Sequence, residues 1–253
     1  MPITYWINEK GLSQIANGSD FSTVHASFQT WENVPTADIR FSYLGTTFVS
    51  AAGFDGLNVV TFADTSTPLG SGTIAVTYSW FRSEIGNDGL IRRAVGEADI
   101  SFNTSLEFST SGEQNKFDIQ GVLTHEIGHL LGLDHSGLIS SVMVPFGVVS
   151  QLDQRTLAYD DIAGISETYP RDGVSAGLGQ IRGRIRSGVT PVFGAHVVAV
   201  NSEGTPLVSA LSQSDGAYVL GYLPPGAYRV YAEPLDLPVS RGEFSGSFYS
   251  SVR

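Results

Sequence analysis

The stretch HEIGHLLGLDHS, from His125 to Ser136, decides the expected fold of the first part of this 253-residue chain. It contains three of the five histidines in the sequence, together with one glutamate and two glycines. Because an α-helix repeats every 3.6 residues, His125 and His129 are predicted to lie one turn apart on the same helical face. Gly132 is a suitable left-handed residue for ending that helix. His135 can then approach the same point from a different direction.

Three imidazoles placed in this way form the ligand set of a catalytic zinc ion. Zinc in proteins is tetrahedral, so the three nitrogens of His125, His129 and His135 would leave the fourth position to water. Glu126 follows the first histidine, and its carboxylate is expected beside that water. Zinc lowers the pKa of a bound water toward ~7, and a neighbouring carboxylate can take the proton and pass it to a leaving amine. The pattern H-E-x-x-H-x-x-G-x-x-H therefore predicts peptide hydrolysis through a zinc-bound water activated by Glu126.

Further segments resemble the matrixins, a family of metzincin metalloproteases. Ser136 directly follows the third histidine, as it often does in that family, and SVMVP (141–145) resembles the Met-turn. AYDDIAGISETYP resembles the C-terminal helix of the matrixin domain. The resemblance covers residues 1–170. It implies that Met143 forms an apolar floor beneath the metal without binding it.

The same resemblance implies where a substrate would bind. GTIAVTYSW would be the edge strand over the cleft, and its main chain would pair with an extended peptide largely without regard to side chains. A position four residues before the first histidine lines the main specificity pocket in the family, together with residues that follow the Met-turn. A glycine at that position indicates room for a large apolar side chain. The candidate contacts are Ile74, Ala75, Val76, Gly121 and Phe146.

One zinc ion is expected, and structural calcium is left open. The chain has no cysteine, so it has neither disulfides nor the zinc-blocking propeptide cysteine of animal matrixins. The segment that holds a second, structural zinc in the family contains no histidine here. Acidic residues in loops and at strand ends could bind calcium, although solvated loop carboxylates are the competing interpretation. They are Asp55, Asp64, Asp88, Glu97 and Asp99.

The order of elements predicts an α+β domain, and the resemblance makes it a metzincin catalytic domain with a twisted mixed sheet and three helices. The first helix carries apolar residues at spacings of three and four, with Asp20 or Ser22 as its cap. The second begins near Asp118, and the third ends at Pro170. The predicted strands are residues 4–8, 39–45, 57–64, 72–80 and 98–103.

The C-terminal part follows a different pattern. Residues 171–179 hold three glycines and no apolar periodicity, which indicates a linker between the domain at 1–170 and the rest. From residue 180 to 253, short strands with turn signals roughly every ten residues predict an all-β sandwich. GRIRSGVTPVFGAHVVAV and SDGAYVLGYLPPGAYRVYAEP resemble a carboxypeptidase-regulatory-like, or transthyretin-like, β-sandwich domain. The chain ends at FYSSVR with no clear final strand, so this domain is expected to be truncated.

Composition limits the partners. With 14 Lys and Arg against 25 Asp and Glu, the net charge of −11 argues against nucleic-acid binding. No apolar run is long enough to span a bilayer. We expect a secreted, extracellular monomer that acts on protein or peptide substrates, although this chain carries no signal peptide. Two alternatives stay open: a zinc-binding but inactive adhesion module, which the presence of Glu126 disfavours, and a hydrolase of non-peptide amides.

Overall fold

The computed structural model of the protein describes residues 2–62, 69–85, 91–235 and 238–244. The chain forms two compact units, each of which draws on separate stretches of sequence. Unit 1 comprises Met1–Asn33, Ile39–Leu133 and Gly147–Thr156. Unit 2 comprises Val34–Asp38, Asp134–Phe146 and Leu157–Arg253. The domain boundaries at 170 and 180 stay predictions.

Unit 1 is built on a five-stranded mixed sheet with the strand order β2-β1-β3-β5-β4. Strands β2, β1, β3 and β5 run parallel to one another. Strand β4 runs antiparallel to β5 and lies at the edge of the sheet. This agrees with the predicted α+β class. The strands are β1 (Ile3–Asn8), β2 (Phe41–Thr47), β3 (Val59–Thr61), β4 (Ala75–Ile85) and β5 (Ile91–Phe102).

The antiparallel pair β4 and β5 is longer than the sequence predicts. The strands pair from Ala75 opposite Phe102 to Ile85 opposite Ile91. Past residue 80 they carry Arg, Ser and Glu, so no apolar alternation marks this extension in the sequence. Two short strands, β6 (Phe108–Ser109) and β7 (Phe117–Asp118), also pair in parallel, and each is too short to leave a sequence signal.

Helix α1 (Ser19–Glu32) has the predicted buried face, but its predicted cap is wrong. Gly18, with φ of 71°, precedes the helix, and no side chain caps it. The Asp20 carboxylate is buried and accepts a hydrogen bond from the Leu12 amide at 2.7 Å, so it closes the preceding loop instead. The Ser22 hydroxyl donates to the Ser19 carbonyl.

Helix α2 (Ile119–Leu130) begins and ends as the sequence predicts. The Asp118 side chain accepts a hydrogen bond from the Gly121 amide at 2.9 Å, which is an N-cap interaction. At the other end Gly132 has φ of +93°, and the Leu133 amide donates to the Gly128 carbonyl at 2.9 Å. The local sequence therefore fixes both ends of the helix that carries the first part of the zinc motif.

Unit 2 contains helix α3 (Tyr159–Thr168), which ends before Pro170 as predicted, and, in its described residues, seven strands that pair antiparallel. A three-stranded sheet has the order β12-β11-β14, and β13 pairs with β8 and β10 with β9. The predicted linker contains a 3-10 turn at Val174–Gly177. The strands are β8 (Gly179–Arg184), β9 (Arg186–Ser187), β10 (Thr190–Pro191), β11 (His196–Val200), β12 (Pro206–Leu211), β13 (Ala217–Leu223) and β14 (Arg229–Glu233).

One apolar core joins α3 to these C-terminal strands. Ala163 of α3 is buried together with Val197 of β11, Val208 of β12 and Leu220 of β13. The Tyr159 hydroxyl donates to the Tyr222 carbonyl at 2.6 Å. Within unit 2 the last helix of the matrixin-like region therefore packs as part of the C-terminal fold. The sandwich architecture itself stays a prediction.

Within the described part of the chain, every helix is too short or too polar to cross a lipid bilayer.

Candidate metal centre

The first two histidines of the motif lie on consecutive turns of α2. Their rings are nearly perpendicular, at 88°, with centroids 4.7 Å apart. The Nε2 atoms of His125 and His129 are 3.1 Å apart. Two nitrogens held about 2.1 Å from one tetrahedral ion stand roughly 3.4 Å apart. The spacing of these two atoms therefore fits a shared zinc ion.

The third histidine follows the end of α2. His125, His129 and His135 each offer a ligand atom, and these atoms all lie within 4.8 Å of one another. Among the described residues, this is the group of His, Cys, Asp or Glu side chains that meets the geometry for holding a metal. Three neutral nitrogens are a suitable donor set for zinc.

Main-chain carbonyls determine which nitrogen of two of these rings can face a metal. His129 Nδ1 lies 2.9 Å from the Leu133 carbonyl oxygen. His135 Nδ1 makes a short contact with the carbonyl oxygen of Glu243. A carbonyl oxygen can only accept a hydrogen bond, so Nδ1 of each ring carries the proton. Nε2 of each ring then carries the lone pair that a metal would bind.

Glu126 is buried, and a residue that sequence analysis missed holds its carboxylate. The Thr77 hydroxyl on β4 lies 2.6 Å from Glu126 Oε2 and 3.0 Å from the Glu126 carbonyl. Burial raises the pKa of the Glu126 carboxyl, and the electrostatic effect of nearby His129 and the Thr77 hydrogen bond partly oppose this increase. A threonine in a strand is common, so its sequence context gave no signal of this contact.

The predicted Met-turn is bonded to the residue that follows the third histidine. Met143 is buried, and its carbonyl accepts a hydrogen bond from the Ser136 amide at 2.9 Å. The Met143 amide lies 2.9 Å from the Ser141 hydroxyl oxygen. These bonds tie the turn to the segment that carries His135. The role of Met143 as a floor beneath the metal stays a prediction.

Two adjacent carboxylates of α3, Asp160 and Asp161, organise this loop, whereas the sequence marks them only as part of a segment that resembles the matrixin C-terminal helix. Asp161 is buried and accepts hydrogen bonds from the Ser141 hydroxyl and from the amides of Val142, Met143 and Ala158. It therefore links the Met-turn to the start of α3, and burial raises the pKa of its carboxyl.

Asp160, the neighbouring carboxylate, joins the metal-binding loop to the C-terminal strands. The Ser136 hydroxyl donates to Asp160 Oδ2 at 2.5 Å, and the Ser209 amide of β12 donates to Oδ1 at 2.7 Å. Burial raises the pKa of Asp160 to about 7, although both hydrogen bonds favour the charged form. This carboxyl therefore changes its charge near neutral pH.

The predicted substrate contacts lie in two regions of unit 1 and one of unit 2. Ala75 and Val76 begin the edge strand β4, and Ile74 directly precedes it. The end of the Ile74 side chain packs directly against Gly147, since a Cβ placed on this glycine would lie only 2.5 Å from it. A Cβ on Gly121 would lie 3.2 Å from the Gln154 Cβ, so Gln154 packs beside this glycine. Phe146 is exposed. The substrate-binding roles of these residues stay predictions.

The buried carboxylates among the calcium candidates hold a loop. Glu97 accepts hydrogen bonds from the amides of Asp55 and Gly56, both at 2.7 Å. Asp99 accepts from the amides of Gly53 and of Val59, the first residue of β3, and burial raises its pKa to about 6. Calcium binding stays a prediction, and Asp64 and Asp88 lie outside the described residues.

Comparison with known families agrees with this geometry. The sequence profile of the matrixin family matches residues 2–170, well over half of the chain. The chain belongs to the matrixin family. Matrixins are a family of zinc metalloendopeptidases.

Individual matrixins are similar to parts of this chain. Rat (Rattus norvegicus) matrilysin is 44% identical over 63 residues, which is 25% of this chain and 24% of matrilysin. Metalloendoproteinase 1-MMP of Arabidopsis thaliana is 29% identical over 148 residues, 58% of this chain and 34% of that protein. Karilysin of Tannerella forsythia is 32% identical over 92 residues, 33% of this chain and 18% of karilysin. This matrixin therefore aligns with about a third or less of each of these relatives.

Proposed function

We propose that this matrixin is an endopeptidase that hydrolyses extended protein segments, with His125, His129 and His135 as zinc ligands and Glu126 as the proton-transfer group. The observation that carries the proposal is the meeting of three histidine ligand atoms within 4.8 Å of one another. Glu126 lies on the same helix as two of these histidines, and its carboxylate is buried.

Glu126 performs the proton transfers in this mechanism. Zinc bound by the three histidines would polarise the scissile carbonyl and make a nearby water more acidic. The Glu126 carboxylate accepts a proton from the water as its oxygen attacks the carbonyl carbon. When the carbon–nitrogen bond breaks, the protonated Glu126 gives that proton to the leaving amine. Burial raises the pKa of Glu126, which helps it to hold the proton between these two steps.

Thr77 positions the catalytic carboxylate. Its hydroxyl lies 2.6 Å from Oε2 of Glu126 and can donate only one proton to it. This bond restricts the orientation of the carboxylate, and in the proposed mechanism Oε1 takes the proton from the water. Because Thr77 lies on β4, the predicted substrate-binding strand is also directly bonded to the catalytic group.

The substrate is expected to bind along β4. This strand lies at the edge of the sheet, where an extended peptide can add to it through main-chain hydrogen bonds. In this proposal Ile74, Ala75 and Val76 contact the substrate main chain, and Gly121 and Phe146 line a side-chain pocket. We also expect a secreted monomer, in keeping with a family that acts mostly outside cells.

Glu126→Gln tests the mechanism most directly. The amide has the same shape but cannot accept the proton, so the rate of casein cleavage should fall roughly 10²–10⁴-fold. Zinc content should be unchanged, because Glu126 is not a ligand. Removing zinc with a chelator should abolish cleavage by the parent, and adding zinc back should restore it.

Glu107→Gln is a matched control, because it makes the same change at an exposed glutamate of unit 1. It should cleave casein like the parent. If Glu126→Gln cleaves as fast as the parent, the proposed role of Glu126 is wrong. If the parent binds zinc but cleaves no casein, gelatin or peptide library, the proposed activity is wrong and the adhesion-module alternative gains support.

A further inference from the structure

Two of the three proposed zinc ligands have the same kind of partner on the side of the ring that faces away from the metal. His129 Nδ1 donates to a carbonyl from its own motif, that of Leu133, four residues later. His135 Nδ1 donates to the carbonyl of Glu243, which lies 108 residues later in the C-terminal part. The first bond follows from the helix end, whereas the second depends on how the distant chain folds within unit 2.

A short segment presents the Glu243 carbonyl. Residues 239–244, here called the C-terminal strap, include a 3-10 turn at Arg241–Glu243. In this turn the Glu243 amide donates to the Ser240 carbonyl at 3.0 Å, and the Phe244 amide donates to the Arg241 carbonyl at 3.4 Å. The turn sets the direction in which the Glu243 carbonyl points.

Apolar side chains anchor both ends of the strap against the Met-turn region. Val239 and Phe244 are buried in one cluster with Val144, which follows Met143, and with Leu211 of β12. In the middle of the strap, the Arg241 guanidinium lies 5.8 Å from the ring centre of Phe193, a cation–π contact. The hydrogen bond to His135 is therefore one of several contacts that fix the strap within unit 2.

His135 lies beyond the end of α2, so the orientation of its ring depends on contacts outside that helix. A hydrogen bond from Nδ1 to a fixed acceptor selects the tautomer and the ring orientation that direct Nε2 to a metal. Partners of this kind typically change metal affinity 10–100-fold when they are removed.

We propose that the Glu243 main-chain carbonyl is a positioning group for His135, so that the C-terminal strap completes the zinc site of this matrixin. This inference rests on the proposed role of His135 as a zinc ligand. It gives the C-terminal part a function in metal binding.

A main-chain ester tests this inference without changing a side chain. Replacing Phe244 by its α-hydroxy analogue converts the amide between residues 243 and 244 to an ester, which makes the Glu243 carbonyl a weaker acceptor. The same change removes the Phe244 amide, so its weak bond to Arg241 is also lost. Zinc affinity, measured by competition with a chelator, should fall about 10-fold. In the cobalt-substituted protein, the visible absorption bands should shift.

A matched ester separates the two effects. Replacing Gly242 by glycolic acid weakens the Arg241 carbonyl and therefore the same turn bond, but it leaves the Glu243 carbonyl as an amide. Its zinc affinity and cobalt spectrum should match those of the parent. Equal zinc affinities for the two esters would overturn the inference, and so would faster cleavage by the Phe244 ester, which would make the strap a blocking segment. A parent that binds no zinc would instead refute the proposed function.

Discussion

The helical half and the loop half of the zinc motif are held by different kinds of interaction. His125, Glu126 and His129 lie on α2, whose cap and end are set by residues next to it in sequence. His135 and Met143 lie on irregular chain that depends on the Asp160 and Asp161 carboxylates of α3 and on the strap. The comparison shows that a short sequence motif can be local on one side and depend on distant residues on the other.

Of the changes that test this contrast, removal of the Asp161 carboxylate should lower the free energy of unfolding most. Asp161→Ala takes the acceptor from the Val142 and Ala158 amides and from the Ser141 hydroxyl, and one of two acceptors from the Met143 amide. The free energy of unfolding should therefore fall by about 5 kcal/mol. Asp118→Ala removes only the cap of α2 and an ion pair with Arg155 and should cost about 1–2 kcal/mol. Urea unfolding measures both changes, and equal losses would contradict the contrast.

Asp160 should make the stability of the loop half depend on pH. Its pKa is raised from 3.8 to about 7, so between these values the folded state binds more protons than the unfolded state. The free energy of unfolding is therefore least reduced by Asp160 below pH 4, where the carboxyl is protonated in both states. It decreases as the pH rises toward 7. Relative to Asp160→Asn, the free energy of unfolding of the parent should fall by about 4 kcal/mol across this range.

Urea unfolding of both proteins at several pH values, in the presence of a chelator, measures this difference. The chelator is needed because histidine protonation makes metal binding depend on pH, and bound metal would add that dependence to the free energy of unfolding. A difference between the parent and Asp160→Asn that stays constant from pH 4 to 7 would show that Asp160 does not titrate in this range.

Thr77→Val should have a smaller effect, on kcat rather than on stability, and it tests how Glu126 is held in the helical half of the motif. Valine has nearly the shape of threonine but cannot donate to Glu126, so kcat should fall by a factor that corresponds to about 2 kcal/mol, roughly 30-fold. Thr77→Ser should restore most of kcat, and KM and zinc content should change little in both variants. A loss of kcat that serine does not restore would indicate a packing role instead.

Local features of the fold could be predicted from the sequence, and features that depend on distant residues could not. The cap at Asp118 and the glycine end at Gly132 were predicted because the chemistry of each lies within a few residues. The same reasoning predicted Asp20 as a cap, but its carboxylate accepts a hydrogen bond from the Leu12 amide instead. A residue with two possible partners cannot be assigned from its neighbours alone.

The same limit applies to the metal centre. The spacing of the motif predicted which histidines come together, because the helix brings two of them close and the glycine turn returns the third. Thr77 was missed because its partner Glu126 lies 49 residues away, and Glu243 was missed because it acts through a main-chain carbonyl. A carbonyl is common to every residue type, so no amino-acid pattern can mark it.

The core shared by α3 and the C-terminal strands has a practical consequence for any attempt to isolate the protease region. Excising residues 2–170, which match the family profile, would expose Ala163 to water and take from Tyr159 its acceptor on Tyr222. It would also remove the Ser209 amide that Asp160 requires. We therefore expect a fragment cut at the family boundary to be less stable than the full chain, so activity is best measured on the full chain.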